Sequence, residues 1–406
     1  MKQLDSKYTF PTIDLLNSTN RIQTEDKTEV EELKERIIRI LDNFNIEITS
    51  IEAKIYHNII FYEITPQKYT SYSIVREYEN DIALTIAEKG VRIISPIPGK
   101  LALGIEVPRV NQQPISIKEA FENSMFQEAD MDLPIVIGET VSNEMCIKDL
   151  TKVPHILISG TSDAYISNCI EVIIMSLLYK KHPDELNLVI IDTTRTEFIK
   201  YASIGKLHFA NSPYSNESII NDIPTAERVL NALCIEMDNR YKLLYENRSR
   251  SIKDYNQKVK NGILEKTELM PYIVTIIYDY SDLVMTAGED VELVVCRLAQ
   301  IARAVGIHVI VATDRTTPNI INDNLKANFP LRIAFQVPDK NRSIVILEQS
   351  GAEYLNNDGD ILLFNNNSLT RVKCPTVIQQ EIENVVSFIS NQNYLFSPTS
   401  LAELIE

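Results

Sequence analysis

The chain has 406 residues, a length that predicts two globular units rather than one core. Apolar residues make up 44% of the chain and charged residues 24%, values near the globular average that argue against disorder and fibrous repeats. The formal net charge of −16 lowers the expectation of nucleic-acid binding, because phosphate contact needs local cations, although a few basic loops can supply them on an acidic protein.

Residues 1–27 are polar and lack sustained periodicity, which predicts a flexible leader. A helix is predicted from Thr28, where Thr28 and Glu31 form a capping-box pattern ahead of an apolar face. Alternating and β-rich stretches then follow within residues 46–64, 91–95 and 101–107, with a second helical stretch near residues 71–89. Together these elements predict a small α+β domain over residues 28–148.

Short apolar runs alternate with long amphipathic helices from residue 149 onward. This alternation predicts an α/β fold with a parallel sheet over residues 149–377, followed by a C-terminal helix and a Ser/Pro-containing tail over residues 378–406. Five of the runs are predicted to be buried strands: residues 155–159, 188–192, 273–277, 308–312 and 331–335.

Cysteine and histidine usage gives no sign of a metal or disulfide site. The cysteines are scattered without a CxxC pair, and the histidines are equally dispersed among apolar elements. No apolar run reaches the roughly 18 residues of a spanning helix, and the first residues are not signal-like. We therefore expect a cytoplasmic protein without a metal ligand set or a membrane segment.

Ligands of α/β sheets bind beyond the carboxyl ends of the strands, so the first strand-to-helix turn, residues 160–167, is the place to look for chemistry. The strand before this turn resembles the strand that precedes the Walker A loop of FtsK/SpoIIIE motors. Further segments resemble that family in the same order along most of the chain: residues 95–100, 104–108, 236–244, 302–308, 326–335 and 349–353.

The resemblance implies a RecA-like P-loop NTPase core preceded by a small α+β domain. It also implies ATP and magnesium as cofactors, double-stranded DNA as a partner, and assembly into a homo-oligomeric ring or with an intact homologue. A working phosphate loop combines backbone donors with a lysine for the β/γ charges and a Ser/Thr for magnesium. The matching cofactor-binding positions of this chain are Gly160, Thr161, Ser162 and Ser167.

The same turn departs from the family at three positions. Ile166 stands where the family has lysine, and Asp163 and Tyr165 stand where it has glycines. Because Asp163 adds negative charge beside any phosphate and no lysine offsets it, we expect nucleotide binding to be severely weakened.

The catalytic positions have changed as well. At the end of the third strand Asp279 stands in the place of the water-activating Glu, and Tyr278 in the place of the metal-associated Asp. Asp314 replaces a polar sensor that is usually Gln. Asp279 is the catalytic candidate that the resemblance implies; the alternative is that Asp279 and Asp314 are solvent-facing remnants.

The family's channel-lining basic positions are partly retained as Arg315, Lys326 and Lys340, while Ile344 replaces a further expected Arg. The resemblance implies DNA binding by these three side chains; the alternative is ordinary solvated charge. Three functions stay open: a hydrolysis-deficient homologue that binds DNA or a partner motor, an active ATP-dependent translocase with an altered site, and a structural interaction protein without DNA binding.

Overall fold

The computed structural model describes residues 8–18, 27–67, 75, 78–86, 90–97, 99–110, 112–264, 268–392, 394 and 398–401. Two separate apolar cores lie within these residues, one in an N-terminal unit and one in a larger body. The two-unit organisation expected from the chain length is therefore present.

The N-terminal unit is a four-stranded antiparallel sheet of order β1-β2-β4-β3, with helices packed against it. Its core combines the apolar stripe of the first helix with one face of the sheet, as the amphipathic pattern predicts. The elements are α1 (Lys27–Asn43), β1 (Ile48–Ile55), β2 (Ile59–Pro66), α2 (Glu79–Ile86), β3 (Arg92–Ile94) and β4 (Leu103–Pro108).

The body is built on a ten-stranded mixed sheet of order β6-β5-β14-β13-β12-β7-β11-β10-β8-β9. The strands from β12 to β9 in this order pair in parallel, and those from β6 to β13 extend the sheet with antiparallel pairs. They are β5 (Pro134–Thr140), β6 (Met145–Asp149), β7 (His155–Ser159), β8 (Leu186–Asp192), β9 (Ile219–Ile220), β10 (Tyr272–Tyr278), β11 (Ile307–Thr313), β12 (Leu331–Ala334), β13 (Asp360–Asn365) and β14 (Ser368–Lys373).

Helices follow the strands of the body in the alternation typical of α/β folds. Short 3-10 turns occur at Ile13–Leu15, Ile199–Ile204, Ala302–Val305 and Ala352–Tyr354. The α-helices are α3 (Ile117–Glu122), α4 (Ser124–Gln127), α5 (Asp163–Lys180), α6 (Gly205–His208), α7 (Ile223–Glu246), α8 (Ile252–Lys260), α9 (Tyr280–Ala287), α10 (Glu289–Ile301), α11 (Asp323–Asn328), α12 (Lys340–Leu347) and α13 (Gln379–Ser390).

The five apolar runs predicted as strands correspond to β7, β8, β10, β11 and β12, so this prediction is confirmed. Each of these strands is buried along its whole length. Parallel strands covered on both faces cannot show a polar alternation, which is why continuous apolar runs identified them.

The boundary predicted at residue 149 is misplaced. Strands β5 and β6 join the large sheet through β14, and α3 and α4 pack into the core of the body. The α+β unit therefore ends with β4, at Pro108, rather than at residue 148. Sequence patterns missed this because antiparallel strands of either unit have the same periodicity.

The flexible leader predicted for residues 1–27 requires a correction for residues 8–18. Tyr8 is 9% exposed and Leu16 is 3% exposed, and both belong to the core of the body. The remaining residues of that predicted segment lie outside the described residues, except Lys27, which begins α1. The predicted C-terminal helix is α13, and Leu401 beyond it is also buried.

Candidate functional site

The carboxyl ends of the parallel strands meet at one edge of the large sheet, here called the carboxyl edge. Tyr278 at the end of β10 is paired with Asp192 at the end of β8, and Thr313 at the end of β11 is paired with Ser159 at the end of β7. The turn 160–167 and the residues that follow β10 and β11 are thus brought together, as the parallel topology predicts.

Gly160 is required by a close approach of the backbone that follows β12. A Cβ at position 160 would lie 2.5 Å from the Cβ of Phe335, closer than real Cβ atoms approach. The backbone amide of Phe335 in turn donates to the carbonyl of Ser159 over 2.8 Å. The retained glycine is therefore explained by packing between two strands without a bound phosphate.

Thr161 directs both of its donors to one protein acceptor. Its amide lies 3.2 Å and its hydroxyl 3.0 Å from the carbonyl oxygen of Gln336. These donors continue the contact between the β7 and β12 chains, so neither is directed to a phosphate in this conformation.

The residues after Thr161 form the first turn of α5. Ser162 is the N-cap, and its carbonyl accepts from the amides of Tyr165 and Ile166 over 3.2 and 3.1 Å. Ile166 is 1% exposed and lies in the core of the body. Ser167 is 5% exposed, and its hydroxyl donates to the carbonyl of Ala164 over 3.3 Å. The position that should carry a cation is therefore an apolar core residue, and the hydroxyl expected at magnesium bonds within its own helix.

Tyr165 connects the turn to the segment before β13. Its hydroxyl donates to the carbonyl of Asn357 over 2.9 Å, and its ring stacks on that of Phe335 with centroids 6.2 Å apart. Burial, followed by the charge of Asp358, raises the pKa of Tyr165. A side chain that replaces a glycine of the family thus fixes the turn to the antiparallel half of the sheet.

Like charges collect at the carboxyl edge. Partial burial raises the pKa of Asp163, and the carboxylates of Asp314, Asp279 and Glu197 raise it further. Burial, followed by the charges of Asp163, Glu197, Asp192 and Asp279, also raises the pKa of Tyr278. The electrostatic potential beside the turn 160–167 therefore opposes the binding of a triphosphate there.

Asp279, the catalytic candidate, has a left-handed backbone with φ of 53° and serves as the N-cap of α9. One of its carboxylate oxygens accepts from the hydroxyl of Ser281 over 2.7 Å and from the amide of Asp282 over 3.4 Å. The carboxylate therefore stabilises the start of α9, a capping role that needs no substrate.

The three predicted DNA-binding residues do not lie together. Arg315 and Lys340 follow the carboxyl ends of β11 and β12, and both are exposed. Lys326 lies in α11 near the amino end of β12, and its side chain is only 12% exposed. Its ammonium pairs with Asp323 over 2.9 Å and with Glu348 over 3.7 Å. Arg315 and Lys340 are thus available at the carboxyl edge, whereas Lys326 is occupied elsewhere.

Asp192 was not singled out by sequence reasoning, although it organises the loop after β8. It is fully buried, and its carboxylate accepts from the amides of Thr194, Glu197 and Phe198 and from the Thr194 hydroxyl. The Asp-Thr-Thr sequence directly after a strand is the signal that could have identified this turn. The same loop places Glu197 near Asp163, and no sequence pattern indicated that position for Glu197.

The arrangement of the turn 160–167 does not fit a magnesium triphosphate, because an apolar core residue and an acidic residue occupy its critical positions. Among the described residues, no group of three or more His, Cys, Asp or Glu side chains is arranged to hold a metal ion.

Two surface cavities lie away from the turn, one lined in part by Asn58, Glu139 and Arg371 and the other by Glu236, Arg240 and Tyr255. Within the part of the chain that the structure describes, no helix combines the length and apolar character needed to cross a bilayer.

Two family profiles match the sequence. The FtsK/SpoIIIE family matches residues 116–318, and the FtsK alpha domain matches residues 10–109. Both matches place the junction between the units where the sheets place it, between residues 109 and 116.

Curated relatives match almost the whole chain. The DNA translocase FtsK of Chlorobaculum tepidum is 38% identical over 404 residues, which are 98% of this chain and 49% of the relative. The DNA translocase SpoIIIE of Bacillus subtilis (strain 168) is 34% identical over 397 residues, which are 96% of this chain and 49% of the relative. The chain spans about half the length of the curated relatives it matches.

Solved structures share the fold at low sequence identity. The conjugation coupling protein TcpA of pCW3, in a monomer form with ATPγS, has a TM-score of 0.59 at 18% identity, over 88% of this chain and 99% of TcpA. The cytoplasmic domain of the type VII secretion ATPase EccC of Thermomonospora curvata has a TM-score of 0.60 at 17% identity, over 73% of this chain and 36% of EccC. The predicted P-loop ATPase core, preceded by a small α+β unit, is thereby confirmed as the fold.

Proposed function

This chain belongs to the FtsK/SpoIIIE family, and from that premise we propose that it is a DNA translocase homologue that has lost ATP hydrolysis. In this proposal it acts in the cytoplasm as a subunit that binds double-stranded DNA or a partner motor. It assembles either as a ring of identical subunits or together with an intact homologue.

The observation that carries the proposal is the buried, apolar Ile166 in the turn where the family has a lysine. Phosphoryl transfer depends on positioned cations that offset the charge of the transferring group. Here the charged residue within the turn is Asp163, whose pKa is raised by partial burial and further by the carboxylates beside it. The triphosphate of ATP, which the family implies as a cofactor together with magnesium, would meet repulsion instead of neutralisation.

The first experiment is a direct titration with ATP and magnesium, followed by a phosphate-release assay with duplex DNA. We expect no saturable binding up to about 1 mM, which corresponds to less than about 4 kcal/mol of binding free energy. We also expect no DNA-stimulated release, with the motor region of the Bacillus subtilis relative as the positive control. DNA-stimulated turnover that Asp279→Ala abolishes would instead support the active-translocase alternative.

The DNA part of the proposal is supported by Arg315 and Lys340, which are exposed at the carboxyl edge. A gel-shift series at several salt concentrations tests it. Arg315→Ala and Lys340→Ala should each weaken duplex binding and reduce the salt slope by about 1, because each removes one phosphate contact. Lys242→Ala, a change at an exposed lysine of α7, is the matched control. Unchanged duplex affinity in both test variants would favour a structural interaction protein.

A further inference from the structure

The segment 8–18, here called the strap, packs against the body rather than against the α+β unit that follows it in sequence. Tyr8 and Leu16 both belong to the apolar core of the body. The hydroxyl of Tyr179, near the end of α5, donates to the carbonyl of Thr12 over 3.1 Å. These contacts join the first described residues to a helix more than 160 positions away.

The strap also holds the C-terminal helix α13. The amide of Thr9 donates to the side-chain carbonyl of Gln392, and the Gln392 amide group donates back to the carbonyl of Thr9, both over 2.8 Å. Farther along, the amide of Asn17 donates to a carboxylate oxygen of Glu381 over 2.8 Å. Because Glu381 in the first turn of α13 and Gln392 just beyond its last residue both bind strap backbone atoms, the strap and the helix are packed together.

Two histidines lie under the amino-terminal end of the strap. The Tyr8 hydroxyl lies 3.2 Å from Nε2 of His208, which is fully buried. The Tyr8 ring makes edge contacts with His182 and Tyr394 at centroid separations of 5.0 and 5.8 Å. His182 is near the surface, with a side chain that is 12% exposed. The strap therefore covers a cluster of aromatic rings in which two members can take up a proton.

The charged groups that face this cluster lie on its rim. Asp184 accepts from the Tyr394 hydroxyl over 2.9 Å, and its amide donates to Nδ1 of His182 over 3.2 Å, which makes that nitrogen an acceptor in the neutral ring. A carboxylate oxygen of Asp184 lies 3.7 Å from the same nitrogen and would pair with it in the protonated ring. Glu185 pairs with Lys260 over 2.9 Å. The partners of His208 within the cluster are neutral, so a positive charge there would have little compensation.

We propose that the strap is an acid-sensitive clasp, which seals α13 onto the body while His182 and His208 are neutral and opens when they take up protons. The geometry opposes protonation chiefly at His208, where a cation would be buried beneath Tyr8. Protonation of Nδ1 of His182 would remove the acceptor of the Asp184 amide, although the Asp184 carboxylate 3.7 Å away would offset part of the new charge. When the clasp opens, the strap leaves the body and α13 loses its contacts with the strap.

The direction of the pH effect follows from the titration of the two rings. Burial lowers the pKa of His208 to about 3, and burial also lowers the pKa of His182 against the opposing charges of Asp184 and Glu185. The open state therefore binds protons more readily than the closed state. The clasp is closed above the ordinary histidine pKa of about 6.5 and loses stability as the pH falls below it.

A single tryptophan can report on the clasp, because the sequence contains none. Phe10 is 40% exposed and contacts the rings of Tyr8 and His182, so Phe10→Trp places a fluorophore on the strap. Fluorescence of the full chain is then followed from pH 8 downward, with far-UV circular dichroism recorded on the same samples. We expect a fluorescence transition below about pH 6.5 that precedes any loss of helical signal.

Matched variants make the test specific. Tyr245→Trp, on an exposed site of α7, should respond only when the body unfolds. His182→Gln and His208→Gln, each combined with Phe10→Trp, should shift the strap transition to lower pH, since neither amide can be protonated. A strap transition that coincides with unfolding, or that both glutamine variants leave unmoved, overturns the proposal.

Hydrogen exchange of the unsubstituted chain provides a second measurement that does not depend on the variants folding. After correction for the intrinsic pH dependence, the amides of Thr9 and Asn17 should lose protection near pH 5 while those of β7 keep theirs. Equal protection of strap and β7 amides down to the pH of global unfolding would contradict the clasp.

Discussion

The turn 160–167 and the joint between the two units differ in how their charges are balanced. The joint is the place where Arg371 contacts Gly90, Glu106 and Asp360. At the turn, Asp163 faces further carboxylates and no cation stands at position 166. At the joint, the guanidinium of Arg371 is 2% exposed, donates to the carbonyl of Gly90 over 2.7 Å and forms ion pairs with Asp360 and Glu106. One region concentrates charge of a single sign near solvent, and the other balances charge in the interior.

The charges at the joint are needed for the stability of the fold, whereas a cation at position 166 would be needed only for nucleotide chemistry. Burial alone would raise the pKa of Asp360, but the charges of Arg371 and Lys373 hold it below its usual value. Loss of Arg371 from this joint would leave the buried carboxylates of Glu106 and Asp360 only partly compensated, at a cost of several kcal/mol. Loss of a cation from the turn costs no stability, since an isoleucine there packs into the core. For stability alone, position 166 can therefore change without cost, whereas the charges at the joint must be kept.

The largest expected effect is at the joint. Arg371→Met should lower the free energy of unfolding by about 3 kcal/mol, because it removes the guanidinium that Glu106 and Asp360 share and leaves these buried carboxylates only Arg92 and Lys373 as cationic partners. Urea unfolding measures the loss. Arg297→Met is the control, since Arg297 pairs with Asp238 over 3.0 Å at the surface with a side chain that is 53% exposed. A loss at Arg371 no larger than the control's, expected to be under about 1 kcal/mol, would remove the contrast between the two regions.

The second-largest effect on stability is expected at position 166, where a lysine would introduce a cation into the turn. Ile166→Lys should lower the free energy of unfolding by about 2–4 kcal/mol, because the new ammonium would have to leave the core or lose its charge. It should not create ATP binding while Asp163 and Tyr165 remain. The measurements are urea unfolding and titration with ATP and magnesium, with Ile166→Leu as the volume-matched control. Tight ATP binding by the lysine variant would show that Asp163 and Tyr165 do not by themselves prevent nucleotide binding.

A substitution at Gly160 is expected to have an intermediate effect on the stability of the chain. Gly160→Ala should destabilise the chain by about 1–3 kcal/mol, because the added methyl group would overlap the Cβ of Phe335. Thermal unfolding compared with Ala164→Gly, a change at an exposed position of the same turn, separates the clash from a general effect of local substitution. A neutral result for Gly160→Ala would mean that the β7 and β12 chains can separate, which would leave room for a ligand between them.

The smallest effect is at Asp163. Its pKa is raised in the folded chain, so its ionisation opposes folding at neutral pH, and this opposition disappears as the pH falls through the raised value. Asp163→Asn should therefore stabilise the chain at pH 7 by a few tenths of a kcal/mol, since the residue is exposed and solvent screens it. The gain should shrink in high salt and near pH 4. A gain that is independent of salt would indicate a packing effect instead of like-charge repulsion.

Sequence reasoning succeeded where a local pattern had one structural solution. Continuous apolar runs identified the five parallel strands, and motifs in a fixed order identified the family. The interpretation of Ile166, Asp163 and Tyr165 as replacements in a phosphate loop stays a prediction. It failed where distant segments decide the outcome. The antiparallel strands β5 and β6 could have belonged to either sheet, and residues 8–18 gave no periodic signal although they pack into the body.

The sequence by itself determined the family and the alternation of strands and helices, because both follow from residue types at fixed spacing. It also predicts that position 166 has lost a cation. Only the tertiary structure decided that Gly160 is held by a neighbouring strand, that Lys326 is paired near the opposite end of β12, and that Arg371 joins the two units. The reason is physical. Burial and ion pairing depend on which distant segments meet in space, and no local spacing specifies that meeting.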